Sequence, residues 1–368
     1  MNDVLDEVTA LARDLVAIDS RSFVSNHAIA DRIEAALPRF EIERIDYTDA
    51  AGVAKRSLVA RRGGRGGLAL SGHMDTVPET GWSGDPWAAT VADGVLHGLG
   101  AVDMKGPLAA GIVAARRMPA ETPVTLLISS DEETTKEGAH HIATRSVLAR
   151  EARVAGIVLV EPTAMTPVRG HRVNVEFTVT AAGVQAHSST GRGANANWAL
   201  IPFLAEMRAL HFRLREDAAF HDAAYDPPYS DFNLTLDNHG TALNVTVPRA
   251  TARLKFRYSR GLDPAPVTAL VREAAARAGL ELSERAEGAP PELPPDAPLV
   301  RMAEQVAGRG AGTAPYGTDA SQLQALAPCV LLGPGELHYA HRPDEQVRLA
   351  DLAAAVPLLQ RFMAQAVH

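Results

Sequence analysis

Ser71-Gly72-His73-Met74-Asp75-Thr76-Val77-Pro78 is the stretch on which the reading of this chain turns. It follows the apolar run Leu68-Ala69-Leu70, which predicts a buried strand ending at Gly72. Side chains alternate along an extended chain, so His73 and Asp75 face the same way just past the strand end. An imidazole with a carboxylate behind it binds a metal with its tautomer fixed. A single His-x-Asp decides little, and the clusters downstream give it meaning.

The nearest of these is Asp131-Glu132-Glu133. It ends the continuous apolar run Val124 to Ile128, bounded by Pro123 and Ser130, as expected of a central parallel strand. Three adjacent carboxylates at a buried strand end are costly unless a cation sits among them; the alternative is a solvated acidic turn. Residues 154–160 repeat the design and deliver Glu161-Pro162-Thr163. Between the two strands' sequence neighbours, Gly98 to Gly106 opens a helix running to about Met118. That glycine cluster lacks both a phosphate-loop ending and a dinucleotide fingerprint. Asp103 stands at the helix entrance, where the dipole favours a negative charge, and a plain N-cap explains it equally well. Near the end of the chain the strand Val330-Leu331-Leu332 leads through Gly333-Pro334-Gly335 to His338 and His341.

The remaining segments suggest an interrupted domain. Helices are expected at 3–17 and 27–37, then a solvated turn from Arg61 to Gly67. Residues 172–182 alternate as a half-solvated antiparallel strand, followed by a helix from Ala194 to Leu210. Strands at 231–237 and 244–258, a helix at 264–279 and a strand at 280–285 complete a β-α-β-β-α-β order. This order suits a ferredoxin-like insertion. The Pro-rich stretch 288–295 reads as the linker back, before a helix at 298–308 and a last helix from 348, which Pro357 should kink.

Composition limits the function. A chain of 368 residues implies two domains, and 46% hydrophobic with 22% charged residues is that of a soluble globular protein. A net charge of -8 argues against nucleic acid as a partner. The single Cys329 excludes an internal disulfide framework and a Cys-rich zinc site. Met1 to Ser20 carries five acidic residues and no basic leader, and no apolar run nears the roughly 20 residues of a membrane span. A cytoplasmic protein is expected.

His73, Asp103, Glu132/Glu133, Glu161 and His341 all follow predicted strands or open helices. In open parallel sheets, ligands bind beyond the carboxyl ends of the strands. Two imidazoles and three carboxylates without a thiolate suit a pair of zinc-like ions about 3.5–4 Å apart, bridged by one carboxylate and a water.

The sequence resembles the dinuclear-zinc amidohydrolases and exopeptidases that include acetylornithine deacetylase, acetylcitrulline deacetylase, succinyl-diaminopimelate desuccinylase and glutamate carboxypeptidase. The resemblance covers nearly the whole chain. It rests on Gly72-His73-Met74-Asp75-Thr76-Val77-Pro78, Gly98-Leu99-Gly100 through Asp103-Met104-Lys105-Gly106, Asp131-Glu132-Glu133, Glu161-Pro162-Thr163, and Gly333-Pro334-Gly335 through His341-Arg342-Pro343-Asp344-Glu345. It implies an α/β fold: a zinc-exopeptidase-like catalytic domain (1–170 and 288–368) with an inserted ferredoxin-like α+β dimerisation (lid) domain (171–287). It also implies two divalent metal ions per chain, Zn2+ with Co2+ or Mn2+ as substitutes, and a homodimer formed through the insertion.

Carried over by position, Asp103 bridges the ions, His73 and Glu161 hold one, and Glu133 and His341 hold the other. Asp75 orients His73, and Glu132 is the general base. His187, in Gly183-Val184-Gln185-Ala186-His187-Ser188, matches a loop whose His reaches a partner's active site and stabilises the oxyanion. Asn244, Arg257, Thr318 and Gly335 match substrate-contacting positions. His140, His141 and His338 stay unassigned, as helix-surface or loop residues. Val173 stands where relatives usually have Gly, and Gly240 where they often have a Gly pair, so substrate contacts transfer less securely than metal chemistry. The run from Thr134 to Gly138 and the His-x-Pro-Asp-Glu ending lean towards N-acyl-amino acids, an acetyl group first. Desuccinylation, a carboxypeptidase or dipeptidase acting on short peptides, and a catalytically dead binding protein are the alternatives.

Overall fold

The computed structural model describes residues 2–230 and 232–365. The chain divides into two units. The first holds the chain up to Gly170, then Pro291–Gly312 and the chain from Thr318 on; the second holds His171–Pro290 and Thr313–Gly317. The chain opens with α1 (Asn2–Val16), α2 (His27–Ala35), β1 (Glu41–Thr48), β2 (Ala54–Arg62), β3 (Leu68–His73), β4 (Thr90–Ala92) and β5 (Val95–His97). It continues with α3 (Lys105–Arg117), β6 (Val124–Ser129), α4 (Glu137–Arg145), α5 (Val147–Ala152), β7 (Gly156–Leu159) and β8 (Val168–His171). The inserted unit holds β9 (Val173–Ala182), α6 (Ala196–Glu216), β10 (Phe232–Asp237), β11 (Arg249–Tyr258), α7 (Ala265–Arg277) and β12 (Glu281–Ala286). Last come α8 (Pro298–Ala307), β13 (Gly312–Ala314), α9 (Ala320–Leu323), β14 (Cys329–Leu331), β15 (Gln346–Arg348) and α10 (Leu349–Gln365).

The large sheet runs β1-β2-β6-β3-β7-β14-β8-β13. Its centre is parallel, with β6 and β7 flanking β3 and β14 beside β7. β3, β6 and β7 are buried at every residue, in keeping with their mostly apolar sequences. The Ala- and Gly-rich helix α3 lies against β3 and β6, with α1 and α10 packed on it. On α10 the buried set Leu352, Val356, Leu359, Phe362 and Met363 recurs at helical spacing, each side chain contributing about 1.5–3 kcal/mol on burial. Register sets the site. Opposing His73 to Ser129 and Ser71 to Leu159 aligns the carboxyl ends of the three strands, so the residues that follow emerge together.

The inserted unit has the expected βαββαβ order, in an antiparallel sheet β10-β11-β9-β12. Val173, Val175, Phe177, Val179 and Ala181 alternate into a core shared with α6 and α7. β11 begins at Arg249 rather than at 244. Residues 244–247 instead bond to the loop ahead of α6, through Ser188 N to Asn244 O at 3.0 Å and Thr246 N to Ala186 O at 2.9 Å. α10 continues past Pro357, where the ring removes a single helical N–H. Among the described residues no helix is long and apolar enough to cross a membrane.

The antiparallel hairpin β1–β2 and the helices α4 and α5 were not expected from the sequence. β1 carries Glu43 to the front of α5, where its carboxylate accepts from Ser146 Oγ at 2.5 Å, Leu148 N at 2.8 Å and Val147 N at 3.0 Å. Partial burial raises the Glu43 pKa, but these donors outweigh it and hold the carboxyl below its ordinary range. A depressed pKa gives stability that is present above the unfolded value near 4.3 and is lost as pH falls through the folded value. Glu43→Gln should therefore destabilise the protein by about 1 kcal/mol at pH 7. In urea unfolding, the difference from the parent should shrink in acid.

Candidate metal centre

His73 closes β3 and is buried. Its Nδ1 lies 3.0 Å from the main-chain carbonyl of Asp75. A carbonyl only accepts, so Nδ1 carries the proton and Nε2 is the nitrogen presented to the site. The Asp75 carboxylate is farther from that ring, at 3.6 Å. It accepts instead from Ser22 Oγ at 2.7 Å and from the backbone N–H groups of Glu132 and Glu133 at 3.2 and 3.3 Å. Asp75 thus orients His73 chiefly through its main chain, while its side chain holds the Glu132-Glu133 turn.

The two oxygens of Asp103 point to different imidazoles. Oδ1 is 3.2 Å from His73 Nε2, and Oδ2 is 3.3 Å from His341 Nε2. His341 Nε2 is also 3.0 Å from Glu133 Oε1. Ligand atoms of His73, Asp103 and Glu133 all lie within 4.8 Å of one another. Asp103 does not cap α3, because Met104 occupies the cap position. Its carboxylate is left for the imidazoles. Glu161 is buried two residues past β7, close enough for its charge to interact with those of His73, Asp103 and Glu132, though it stands outside the tight triad. Glu132 is buried beside the triad, its Oε1 3.2 Å from the Lys136 ammonium.

The electrostatics of this cluster call for positive charge. Burial and the negative charge of Asp103 push Glu133 up to about 7, and burial drives Glu161 well above the carboxylate range. Burial and the charge of Glu132 push Asp319 up to about 8. The imidazoles shift the opposite way. Asp103 and Glu133 accept from His341 and hold its pKa up at about 11, and His73, despite burial, is raised by Asp103 and Asp75. Burial disfavours ionised Asp103, yet the two imidazoles hold it well below the usual range. Acids that gather protons beside imidazoles that keep extra ones mark a site lacking positive charge, which divalent cations supply. The donor set of imidazole and carboxylate suits them.

Asp131 belongs elsewhere. It meets the buried Lys55 ammonium at 3.0 Å and accepts from the Tyr47 hydroxyl at 2.7 Å. One of the three adjacent carboxylates is therefore balanced by a lysine. Thr318 is buried ahead of α9 and its hydroxyl accepts from Ala320 N at 3.2 Å. Ser129 Oγ donates to the neighbouring Asp319. Gly335 stands at φ +91°, and a Cβ there would come within 2.6 Å of Val102 Cγ2. His141, expected on a surface, is buried edge-on against Tyr47; His140 and His338 are exposed.

The remaining predicted residues lie in the inserted unit. His187 and Asn244 sit on paired exposed loops. The Ser189 N–H donates to His187 Nδ1 at 3.3 Å, so the ring proton sits on Nε2. Arg257 is eight residues along β11 from Arg249, about 26 Å from the end that carries those loops.

Two imidazoles share one carboxylate, with the Glu132 carboxylate nearby, an arrangement that suits the metal-dependent hydrolase the family match indicates. The chain belongs to peptidase family M20/M25/M40, which it matches over residues 69–365. It is 32% identical over 328 residues to acetylornithine deacetylase of Erwinia tasmaniensis, covering 85% of this chain and 83% of that one. With acetylornithine deacetylase of Proteus mirabilis it shares 32% identity over 374 residues, 95% and 94% of the two chains. Human carnosine dipeptidase 1 has the same fold, with a TM-score of 0.73 at 17% identity over 99% of this chain and 98% of that one. A dinuclear metal-binding peptidase of Bacillus subtilis superposes with a TM-score of 0.63 at 18% identity over 99% and 98%.

Proposed function

We propose that this hydrolase cleaves the amide bond of an N-acyl-amino acid, most readily an N-acetyl group on ornithine or citrulline. The observation that carries the reading is the Asp103 carboxylate divided between His73 and His341, with Glu132 beside it. Relatives named acetylornithine deacetylase, at 32% identity over most of the chain, support the acetyl preference.

In this proposal Asp103 would be shared between two divalent ions, zinc by preference. His73 and Glu161 would help hold one, and Glu133 and His341 the other. Such ions, when bound, acidify a water and place positive charge opposite a developing oxyanion. Glu132 accepts the proton of the attacking water as its oxygen bonds to the amide carbon. It then hands that proton to the amine nitrogen as the C–N bond breaks, leaving the free amino acid and a carboxylic acid that gives up its remaining proton to become the carboxylate. The Lys136 ammonium, 3.2 Å from Glu132 Oε1, would leave the other carboxylate oxygen for the proton.

The inserted domain, residues 171–287, is proposed to pair with its copy in a homodimer. Edge strand β10 exposes Leu234 and Leu236, and α6 exposes Trp198 and Ile201. His187 would reach the partner's active site, and Asn244 and Arg257 would contact the substrate. His187 would donate from Nε2 to the oxyanion, and Arg257 would grip a substrate carboxylate. Thr318 and Gly335 would line the acyl side, within a cytoplasmic enzyme.

The test is turnover of the purified protein on acetyl-, succinyl- and glutamyl-amino acids and on dipeptides. Acetylornithine or acetylcitrulline should give the highest kcat/KM. Faster hydrolysis of dipeptides, or none on any member, would overturn the substrate assignment.

A further inference from the structure

Glu345 lies four residues past His341 and is 1% exposed. Its carboxylate reaches a loop more than 240 positions away. Oε2 accepts from Gly100 N at 3.0 Å, and Oε1 from Val102 N at 3.0 Å and Asp103 N at 2.9 Å. Its main-chain oxygen accepts from Gly98 N at 3.2 Å, extending the β15–β5 register in which Gln346 opposes His97. One residue therefore satisfies four backbone N–H groups between Gly98 and Asp103. Left buried without acceptors, such groups cost about 1–3 kcal/mol each. The fully buried Lys105 ammonium, in the first turn of α3, faces the Glu345 charge.

The connection matters because both segments it joins end in the metal centre. The clamped loop carries Asp103, and the segment that bears Glu345 carries His341, whose Nε2 meets Asp103 Oδ2 at 3.3 Å. We propose that Glu345 is a positioning residue that holds Asp103 and His341 in register, and so sets the affinity of the cation position built from Glu133 and His341. This rests on the two-ion reading above. Glu345 is not one of the proposed ligands; it acts through the backbone of residues 100–103. The position of His73 and Glu161 relies on strands β3 and β7 and depends on the clamp only through Asp103.

Glu345→Gln keeps shape but replaces one acceptor oxygen with a donor, and Glu345→Ala removes all three side-chain bonds. Zn2+ titration of the chelator-stripped full-length chain, followed calorimetrically, reads the outcome. The parent should bind two ions. In Glu345→Gln one of the two should bind about 10–100-fold less tightly, with the other changed far less. kcat at fixed Zn2+ should fall with KM nearly constant, and excess Zn2+ should restore much of it. Glu43→Gln serves as the control, losing stability with both affinities kept. Should Glu345→Ala not fold, the isosteric Gln variant carries the test. If the parent binds two ions and Glu345→Gln binds both with parental affinities, the clamp is refuted while the two-ion reading stands. If the parent itself binds none, both fall.

Discussion

Glu132→Gln should retain both metal ions and lose on the order of 10²–10⁴ in kcat, the contribution of a positioned general base. The substitution is isosteric and leaves the proposed ligands untouched. What changes is the ability to take and return a proton. Glu132 is held from several directions. Its backbone N–H donates to Asp75 at 3.2 Å, its Oε1 meets Lys136 at 3.2 Å, and the Asp319 carboxyl, raised by burial and by the Glu132 charge, lies close by. Metal content measured beside turnover separates the two roles. Loss of rate with metal kept supports the base. Turnover near that of the parent would remove Glu132 from the mechanism, and loss of metal would make it a ligand.

The second large effect concerns stability. Lys55→Met should cost about 3–5 kcal/mol, because it strands Asp131 as an uncompensated buried charge. Lys55 and Asp131 are both buried, and Lys55 Nζ also donates to the main-chain oxygens of Ser22 at 2.5 Å and Val24 at 3.0 Å. The hydroxyl of the neighbouring Ser22 in turn donates to Asp75. The pair therefore ties the hairpin β1–β2 to the turn that carries Glu132 and Glu133. Urea unfolding gives the measure. Lys55→Met combined with Asp131→Asn should recover part of the loss, since the second change removes the stranded charge. A cost below about 1 kcal/mol for Lys55→Met would match an exposed ion pair and contradict this role.

Lys55 also shows where sequence reading stops. Ala54-Lys55-Arg56-Ser57 carries two charges and no sign of burial, and the carboxylate that balances the buried ammonium stands 76 positions away. β1 was missed for a related reason: Glu41–Thr48 buries Ile45 alone, so no apolar stripe announces it. The central strands were legible because parallel strands buried on both faces need mostly apolar runs, and β3, β6 and β7 have them at residues 68–70, 126–128 and 157–159. The βαββαβ insertion was legible because Val173 to Ala181 alternates with period two. His73, Asp103, Glu133 and His341 converge because each follows a strand end or a helix entrance, a position visible in one dimension. Glu345 closes the run from His341 to Glu345, yet its work on the 100–103 backbone depends on contacts formed only in the folded chain. Asp319 is similar, since its neighbours Ser129 and Glu132 come from another strand's end.

The central claim is that carboxylates crowded at the ends of β3, β6 and β7 are there to hold cations. The most direct measurement is metal stoichiometry on the purified protein, with hydrolysis followed through stripping by a chelator and reloading with Zn2+ or Co2+. The account predicts two ions per chain, loss of hydrolysis on stripping and its return on reloading. A protein that binds no divalent cation, or hydrolyses its substrate undiminished after stripping, would contradict it.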